Sequence, residues 1–229
     1  MIKICVSGSR GKMGSRIIAL AKEDPAFGEV EGFDIDDDPS ALIARCDCLI
    51  EFSAPFATIE HLQIAERQHK AVIIGTTGLS EAERSQIAAA GFTIPVVFSA
   101  NMSVGVNCLF KEVENAARTL GAAYKARIKE AHHVHKKDAP SGTAKELARI
   151  IMNVRHEKDI PIESIREGEI VGDHWVTFES SVDTLELFHH AKTRDIFVRG
   201  ALEAAKFIVG KPAKVYSMQD VLGIKGVSR

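Results

Sequence analysis

Titratable residues crowd the stretch Glu130-Ala-His-His-Val-His-Lys-Lys-Asp-Ala-Pro-Ser-Gly-Thr-Ala144. An imidazole changes protonation near neutral pH, so it can give or take a proton during a reaction. Lys136 adds a fixed positive charge. Ser141-Gly142-Thr143 then opens a helix, whose unpaired N–H groups, with the Ser and Thr hydroxyls, suit a carboxylate. A proton donor, a cation and a helix start within one segment fit a small dianionic substrate. Two other readings stand beside this one: a solvated loop that happens to hold histidines, and a metal site built from His132, His133 and His135. Neighbours on a strand face opposite ways, so only His133 and His135 could share a face, and no carboxylate or cysteine ligand is obvious nearby.

A second group sits at the start of the chain, where the apolar run Ile2 to Val6 meets Gly8-Ser9-Arg10-Gly11-Lys12-Met13-Gly14. Glycine permits positive φ and close approach of a backbone to a ligand. The helix that follows points free N–H groups and the positive end of its dipole at the same place, which suits a pyrophosphate. Arg10 and Lys12 add charge there. The first gap is longer than in Gly-x-Gly-x-x-Gly, and a plain tight turn would look similar. Asp34 follows at the end of a second strand, roughly 20 residues on, where an acid hydrogen-bonds an adenosine ribose. Asp36, Asp37 and Asp38 come next, with no Arg directly after Asp34. So many carboxylates disfavour a 2′-phosphate and favour NADH over NADPH, a preference that Arg10 and Lys12 soften. Asp36 to Asp38 read better as a solvated acidic loop than as ligands. Gly75-Thr76-Thr77-Gly78 and Ser99-Ala100-Asn101-Met102 leave the ends of later strands, where ligands gather in parallel sheets, although ordinary connections are rich in the same residues.

These loops need a scaffold. Strands at Ile2–Val6, Val30–Asp34, Cys48–Phe52, Ala71–Ile74 and Pro95–Phe98 alternate with helices. One helix starts at Met13, one has Pro55 in its first turn, and one is capped by Ser80. Alternation of this kind predicts right-handed βαβ units and a parallel sheet. After Asn101 the texture changes. Val106, Leu109, Phe110, Val113 and Leu120 form one helical stripe ending near Gly121. A strand over Tyr124–His133, a helix over Gly142–Val154 and strand-like sequence from Ile162 to His190 then suggest an antiparallel or mixed sheet. A helix returns over Gly200–Val209. The expected fold class is therefore α/β: a Rossmann-like dinucleotide-binding domain, then a smaller α+β domain with a mixed sheet.

Composition narrows the class. The chain has 229 residues, is 45% hydrophobic and 26% charged, and carries a formal net charge of -2. That charge argues against a nucleic-acid binder with a general basic surface. No apolar run approaches the roughly 20 residues a bilayer needs. The opening residues lack the apolar stretch and cleavage site of a secretory signal. Cys5, Cys46, Cys48 and Cys108 show neither a disulfide framework nor a second ligand pair for zinc, and read as reduced thiols. No membrane, no resident metal and a cytoplasmic address are the expectations.

The segment EAHHVHKKDAPSGTA resembles the substrate segment of the dihydrodipicolinate reductases, also called 4-hydroxy-tetrahydrodipicolinate reductases. GSRGKMG, IGTTG and SANMSVGVN are similar to that family's cofactor and hinge segments, and TRDIFVRGALEAAKFIVGKPAKVYSMQDVLG to its C-terminus. The resemblance runs from end to end, and the histidine segment is its most specific part. The chain is similar to the shorter members, with a compact link between glycine loop and third strand.

The resemblance implies the rest. Residues 1–102 plus 199–229 would bind the dinucleotide, and 103–198 would bind substrate and build a homotetramer through their sheets. Gly8, Ser9, Arg10, Gly11, Lys12 and Met13 would hold the pyrophosphate, and Asp34 the ribose. Gly75, Thr76, Thr77, Ser99, Ala100, Asn101 and Met102 would line the nicotinamide side, Met102 standing where many members carry Phe. His132 would be the general acid/base and Lys136 a second proton donor. His133, Ser141, Gly142 and Thr143 would take the carboxylates of a small cyclic dicarboxylate. Arg194 and Phe197 match family positions near the domain junction. The implied activity is NADH- or NADPH-dependent reduction in lysine and diaminopimelate synthesis. A nucleotide sensor without catalysis would not need His132, Lys136 and the Ser-Gly-Thr segment, and the histidine segment disfavours an amino-acid dehydrogenase, which would share the first domain.

Overall fold

Short, fully apolar segments alternating with amphipathic ones dictate the first architecture. The computed structural model describes residues 1–224, so residues 225–229 of the stretch 199–229 lie outside the described residues. Two units are present. The first comprises Met1–Ser103 and Phe197–Gly223, and the second contains Val104–Ile196.

The first unit opens with β1 (Ile2–Ser7), α1 (Lys12–Glu23), β2 (Phe27–Phe33), α2 (Pro39–Arg45) and β3 (Cys48–Glu51). It continues with α3 (Pro55–Arg67), β4 (Ala71–Ile74), α4 (Glu81–Ala90) and β5 (Pro95–Phe98). Every residue of β3 and β4 is buried, as expected of central parallel strands covered on both faces. α3 starts at Pro55, and α4 carries a capping box in which Ser80 and Glu83 satisfy each other's backbone N–H. With β10 (Lys214–Tyr216), six strands lie in the order β10-β5-β4-β3-β1-β2, all pairs parallel. The sixth strand, β10, is short and follows Gly210 at φ +78. Two cores fill the two faces: Ile4, Val6, Ile17 and Ile50 on one, and Phe33, Leu49, Leu62 and Val72 on the other.

The second unit holds α5 (Val104–Leu120), β6 (Lys125–His132), α6 (Gly142–Arg155), β7 (Ile162–Arg166), β8 (Asp173–Glu179) and β9 (Thr184–His190). Its sheet runs β7-β6-β8-β9. β6 is parallel to β7 and antiparallel to β8, so the sheet is mixed. The strand-like run 162–190 resolves into three strands, separated first at the Gly168–Gly172 loop and then at a turn over Ser180–Asp183 that contains no glycine. Alternation sets the faces: Ala126 and Ile128 of β6 join Val176 and Phe178 of β8 in a core with α5 and α6 residues Val113, Leu147 and Ile151.

α7 (Asp195–Ile208) starts five residues before the helix expected from Gly200, and the Thr193 hydroxyl accepts from the Asp195 N–H at 3.2 Å just ahead of it. α8 (Met218–Val221) ends the described elements. No helix among the described residues is long and apolar enough to cross a membrane.

Candidate active site

The first unit offers a nucleotide cradle. Gly8 has φ +69, and a Cβ there would lie 2.9 Å from the Phe52 carbonyl oxygen. Gly14 is tighter: its Cβ would meet the Gly8 carbonyl oxygen at 2.1 Å, so α1 and the glycine turn close on each other only because Gly14 lacks a side chain. α1 has Gly11 at its N-cap, no side-chain cap and no acid in its first turn. The first N–H groups of a helix have no partner within it, so here they face a cradle that suits an anion. The residues fit a dinucleotide pyrophosphate.

Asp34 directly follows β2, beside this turn. Its carboxylate accepts from the Arg10 N–H at 2.9 Å and the Ile35 N–H at 3.0 Å, which hold its pKa below the ordinary carboxylate value. Gly75 has a packing reason of its own, since a Cβ would strike the Phe52 ring at 2.2 Å. Thr76 is buried, with its hydroxyl 2.9 Å from that of Thr58, while Thr77 is exposed. Ser99 and Asn101 knit their own loop: the Ser99 hydroxyl donates to the Asn101 carbonyl at 2.8 Å, and Asn101 Oδ1 accepts from the Ser103 N–H at 2.9 Å. Ala100 is exposed. Met102 points into the core, and a Cβ on Gly200 would collide with its carbonyl.

Beneath these loops lies a buried polar network that the sequence reading did not single out. Glu51, at the end of β3, is fully buried. Its carboxylate accepts from the Ser53 N–H at 2.9 Å and from the Ser53 hydroxyl, and lies 2.8 Å from His61 Nδ1. The same nitrogen is 3.2 Å from the Ser7 hydroxyl. A carboxylate ending an otherwise apolar strand, ten residues before a histidine on an apolar helix face, was the available signal.

The second unit carries the histidine segment. The inward face of β6 runs Ala126, Ile128, Glu130, His132, so the apolar stripe ends in an acid and an imidazole. Glu130 is fully buried. Arg166 forks onto it with Nη1 to Oε2 at 2.9 Å and Nη2 to Oε1 at 2.8 Å, and the Ser141 N–H donates to Oε1 at 3.2 Å. His132 Nδ1 lies 2.5 Å from Glu130 Oε2. Burial pushes the Glu130 carboxyl up, but Arg166 and His132 outweigh it and bring it to about 2. Glu130 is therefore ionised, and its contact fixes His132 with the proton on Nδ1 and leaves Nε2 as the outward nitrogen. Burial lowers the His132 pKa, and Glu130 opposes that.

His174 of β8 meets His132 edge-on, with ring centroids 5.3 Å apart, and its Nε2 lies 3.2 Å from the Ser141 hydroxyl. Burial drives its pKa down to about 3, so it stays neutral. Ser141 is buried and caps α6 by accepting from the Ala144 N–H at 3.2 Å. Gly142 is exposed at that helix start, with open space where a Cβ would stand, and Thr143 is half-buried beside it. Lys136 pairs with Asp138 at 2.8 Å. His133 Nε2 lies 3.3 Å from Arg194 Nη2. Among the described residues, buried His133 Nδ1, His174 Nδ1 and Arg166 Nε have no hydrogen-bond partner. His132, Ser141 and Arg166 thus meet on Glu130, whereas His135 is exposed and points toward Glu169. Sequence reasoning missed Glu130, Arg166 and His174, although Glu130 and His132 stand at the period-2 spacing that puts two side chains on one face.

A parallel sheet with a glycine cradle, joined in one chain to a mixed sheet bearing a carboxylate-held histidine, defines a reductase of the nicotinamide-dinucleotide-binding type. The family model for the N-terminus of dihydrodipicolinate reductase matches residues 2–102, and that for its C-terminus matches residues 105–222. The chain belongs to the dihydrodipicolinate reductase family. It is 37% identical to the 4-hydroxy-tetrahydrodipicolinate reductase of Aromatoleum aromaticum, over 98% of this chain and 96% of that one. It is 36% identical to the enzyme of the same name from Geobacter metallireducens, over 98% of this chain and all of that one. The same fold occurs in the dipicolinate-bound dihydrodipicolinate reductase of Paenisporosarcina sp. TG-14, with a TM-score of 0.82, 22% identity, and 96% of this chain and 99% of that one covered.

Proposed function

We propose that this chain reduces 4-hydroxy-tetrahydrodipicolinate, by way of dihydrodipicolinate, to tetrahydrodipicolinate in lysine and diaminopimelate synthesis, with NADH favoured over NADPH. The observation that carries the reading is the Glu130–His132 contact at 2.5 Å, set beside the start of α6 in a chain of this family. The nicotinamide of a dinucleotide held at the glycine cradle would supply a hydride, taken up at ring carbon C4 of a conjugated cyclic imine. His132 Nε2, when protonated, gives its proton to C3 of the resulting enamine, and the Glu130 carboxylate steadies the imidazolium while it exists. Lys136 donates a proton in the dehydration that forms the imine, or stabilises negative charge on the ring. Gly142 and Thr143 at the α6 start, with His133, hold the substrate carboxylates. Ser141 contributes by building that helix start, since its hydroxyl caps α6 and faces His174. Fixed partners for both carboxylates matter because positioning decides whether the hydride reaches its target.

The test is His132→Gln, read in two ways. Turnover should fall by roughly 10² or more, while NADH binding by fluorescence titration stays intact. Unchanged turnover removes His132 from the acid role, and loss of NADH binding removes the explanation altogether. Lys136→Ala should damage turnover far more than cofactor affinity.

The assembly proposed is a homotetramer formed through the outward face of the second sheet. Trp175 and Phe188 stack there with centroids 4.8 Å apart, bordered by Arg127 and Lys129 on one strand and by Glu163 and Glu186 on others. Apolar rings with opposite charges on one flat face make a patch that a second copy complements. The cytoplasm is the proposed compartment, where a charged metabolite and a dinucleotide are both at hand.

A further inference from the structure

A dinucleotide site must meet either a bare 2′-hydroxyl or a 2′-phosphate on the adenosine ribose. We propose that Arg10 and Asp36 form a releasable ion pair that sets this choice. Arg10 rests on Asp36 when NADH is bound and transfers to the 2′-phosphate when NADPH is bound. The inference rests on the reductase reading above and narrows the selectivity expected of the acidic loop as a whole to one ion pair.

The four carboxylates after β2 have different jobs. Asp37 Oδ2 accepts from the Asp34 N–H at 2.8 Å and closes the turn. Asp38 Oδ1 accepts from the Ser40 N–H at 2.9 Å and caps α2. Both oxygens of Asp34 are oriented by backbone N–H groups. Asp36 instead takes the Arg10 guanidinium, with Nη2 3.0 Å from Oδ2. The two side chains are 60% and 77% exposed, so neither is locked by packing.

Arg10 is held at its other end. Its backbone N–H donates to Asp34 Oδ2, and its Nε stands 3.8 Å from the same oxygen. The side chain therefore pivots beside the acid expected to meet the ribose, within reach of any group on the 2′-position. An exposed ion pair is worth little in water, so Asp36 yields the guanidinium readily. A phosphate monoester carries more than one negative charge near neutral pH, and the planar fork of Arg matches it with two hydrogen bonds. Asp36 thus opposes NADPH in two ways: it occupies Arg10, and it repels the phosphate until Arg10 intervenes. The acidic crowd that disfavours NADPH contains its own counterweight.

Fluorescence titration of the full chain with NADH and NADPH, for wild type, Arg10→Ala and Asp36→Asn, tests this. The readout is the ratio of the NADPH to the NADH dissociation constant. Arg10→Ala should raise that ratio by about tenfold or more, as expected for loss of a bidentate phosphate contact. Asp36→Asn should lower it by several-fold. In wild type the ratio should rise with added salt, and in Arg10→Ala this dependence should shrink. A ratio within about twofold of wild type in both variants overturns the proposal, as does a fall in Arg10→Ala. If neither cofactor binds the wild-type chain, the reductase reading fails, an outcome separate from failure of the ion-pair switch.

Discussion

Glu130 changes what His132 can do. An imidazole alone on a strand end is free to rotate and to choose either tautomer, whereas here one nitrogen is committed to a buried carboxylate that Arg166 keeps ionised. Burial lowers the His132 pKa and the Glu130 charge raises it, so Glu130→Gln should lower it further. The acid form would then be scarcer at neutral pH. We expect kcat to fall by about 10–10² and its pH dependence to move to lower pH, with NADH affinity unchanged. A variant with the wild-type pH profile would leave Glu130 a purely structural role. The histidines and Lys136 were legible because their types alone announce proton chemistry. Glu130 was not, because a glutamate next to Lys129 reads as solvated surface even though it continues the face of Ala126 and Ile128. Only the partner Arg166, 36 residues away in the chain, shows it to be buried and paired.

At the scale of elements, the parallel strands and the helices between them followed from fully apolar runs and cap residues. The short pieces did not. α2 is seven residues long, below what periodicity resolves, although Asp38-Pro39 carried a cap and a first-turn proline. β10 is three residues long and belongs to the sheet only because β5 accepts it as an edge. The Glu51–His61 pair was equally hidden, since it depends on β1, β3 and α3 meeting. Breaking it should be costly. His61→Ala leaves the fully buried Glu51 carboxyl group without its imidazole partner, and the expected loss of stability is about 1–3 kcal/mol. Urea unfolding would measure it, and a loss below about 1 kcal/mol would mean that Ser53 and Thr58 suffice for Glu51.

For the molecule as a whole, acid is the expected weakness of the second unit. His174 titrates at about 3 when folded against an ordinary 6.5, so between those values the unfolded chain holds a proton that the folded chain refuses. Stability is full above about pH 6.5 and falls by about 1.4 kcal/mol per pH unit below it. Glu130 acts the same way lower down, its stabilisation fading as pH drops from its ordinary 4.5 toward about 2. Trp175, the single tryptophan of the chain, lies in β8 and reports on this unit. Its fluorescence should show unfolding at progressively lower urea as the pH is taken from 7 to 5, and His174→Asn should flatten that slope. For assembly, Phe188→Lys on the outward face of the sheet should shift the sedimenting species toward monomer. An unchanged mass would exclude that face.

The nucleotide unit is interrupted: its edge strand β10 and much of α7 come after the whole of the second unit. A ribosome therefore releases Val104–Ile196 as a complete folding unit while the older part of the chain still waits for its last strand. The inserted unit, with its histidines, should consolidate first on the nascent chain, and the glycine cradle should acquire its final stability only as residues near Tyr216 emerge.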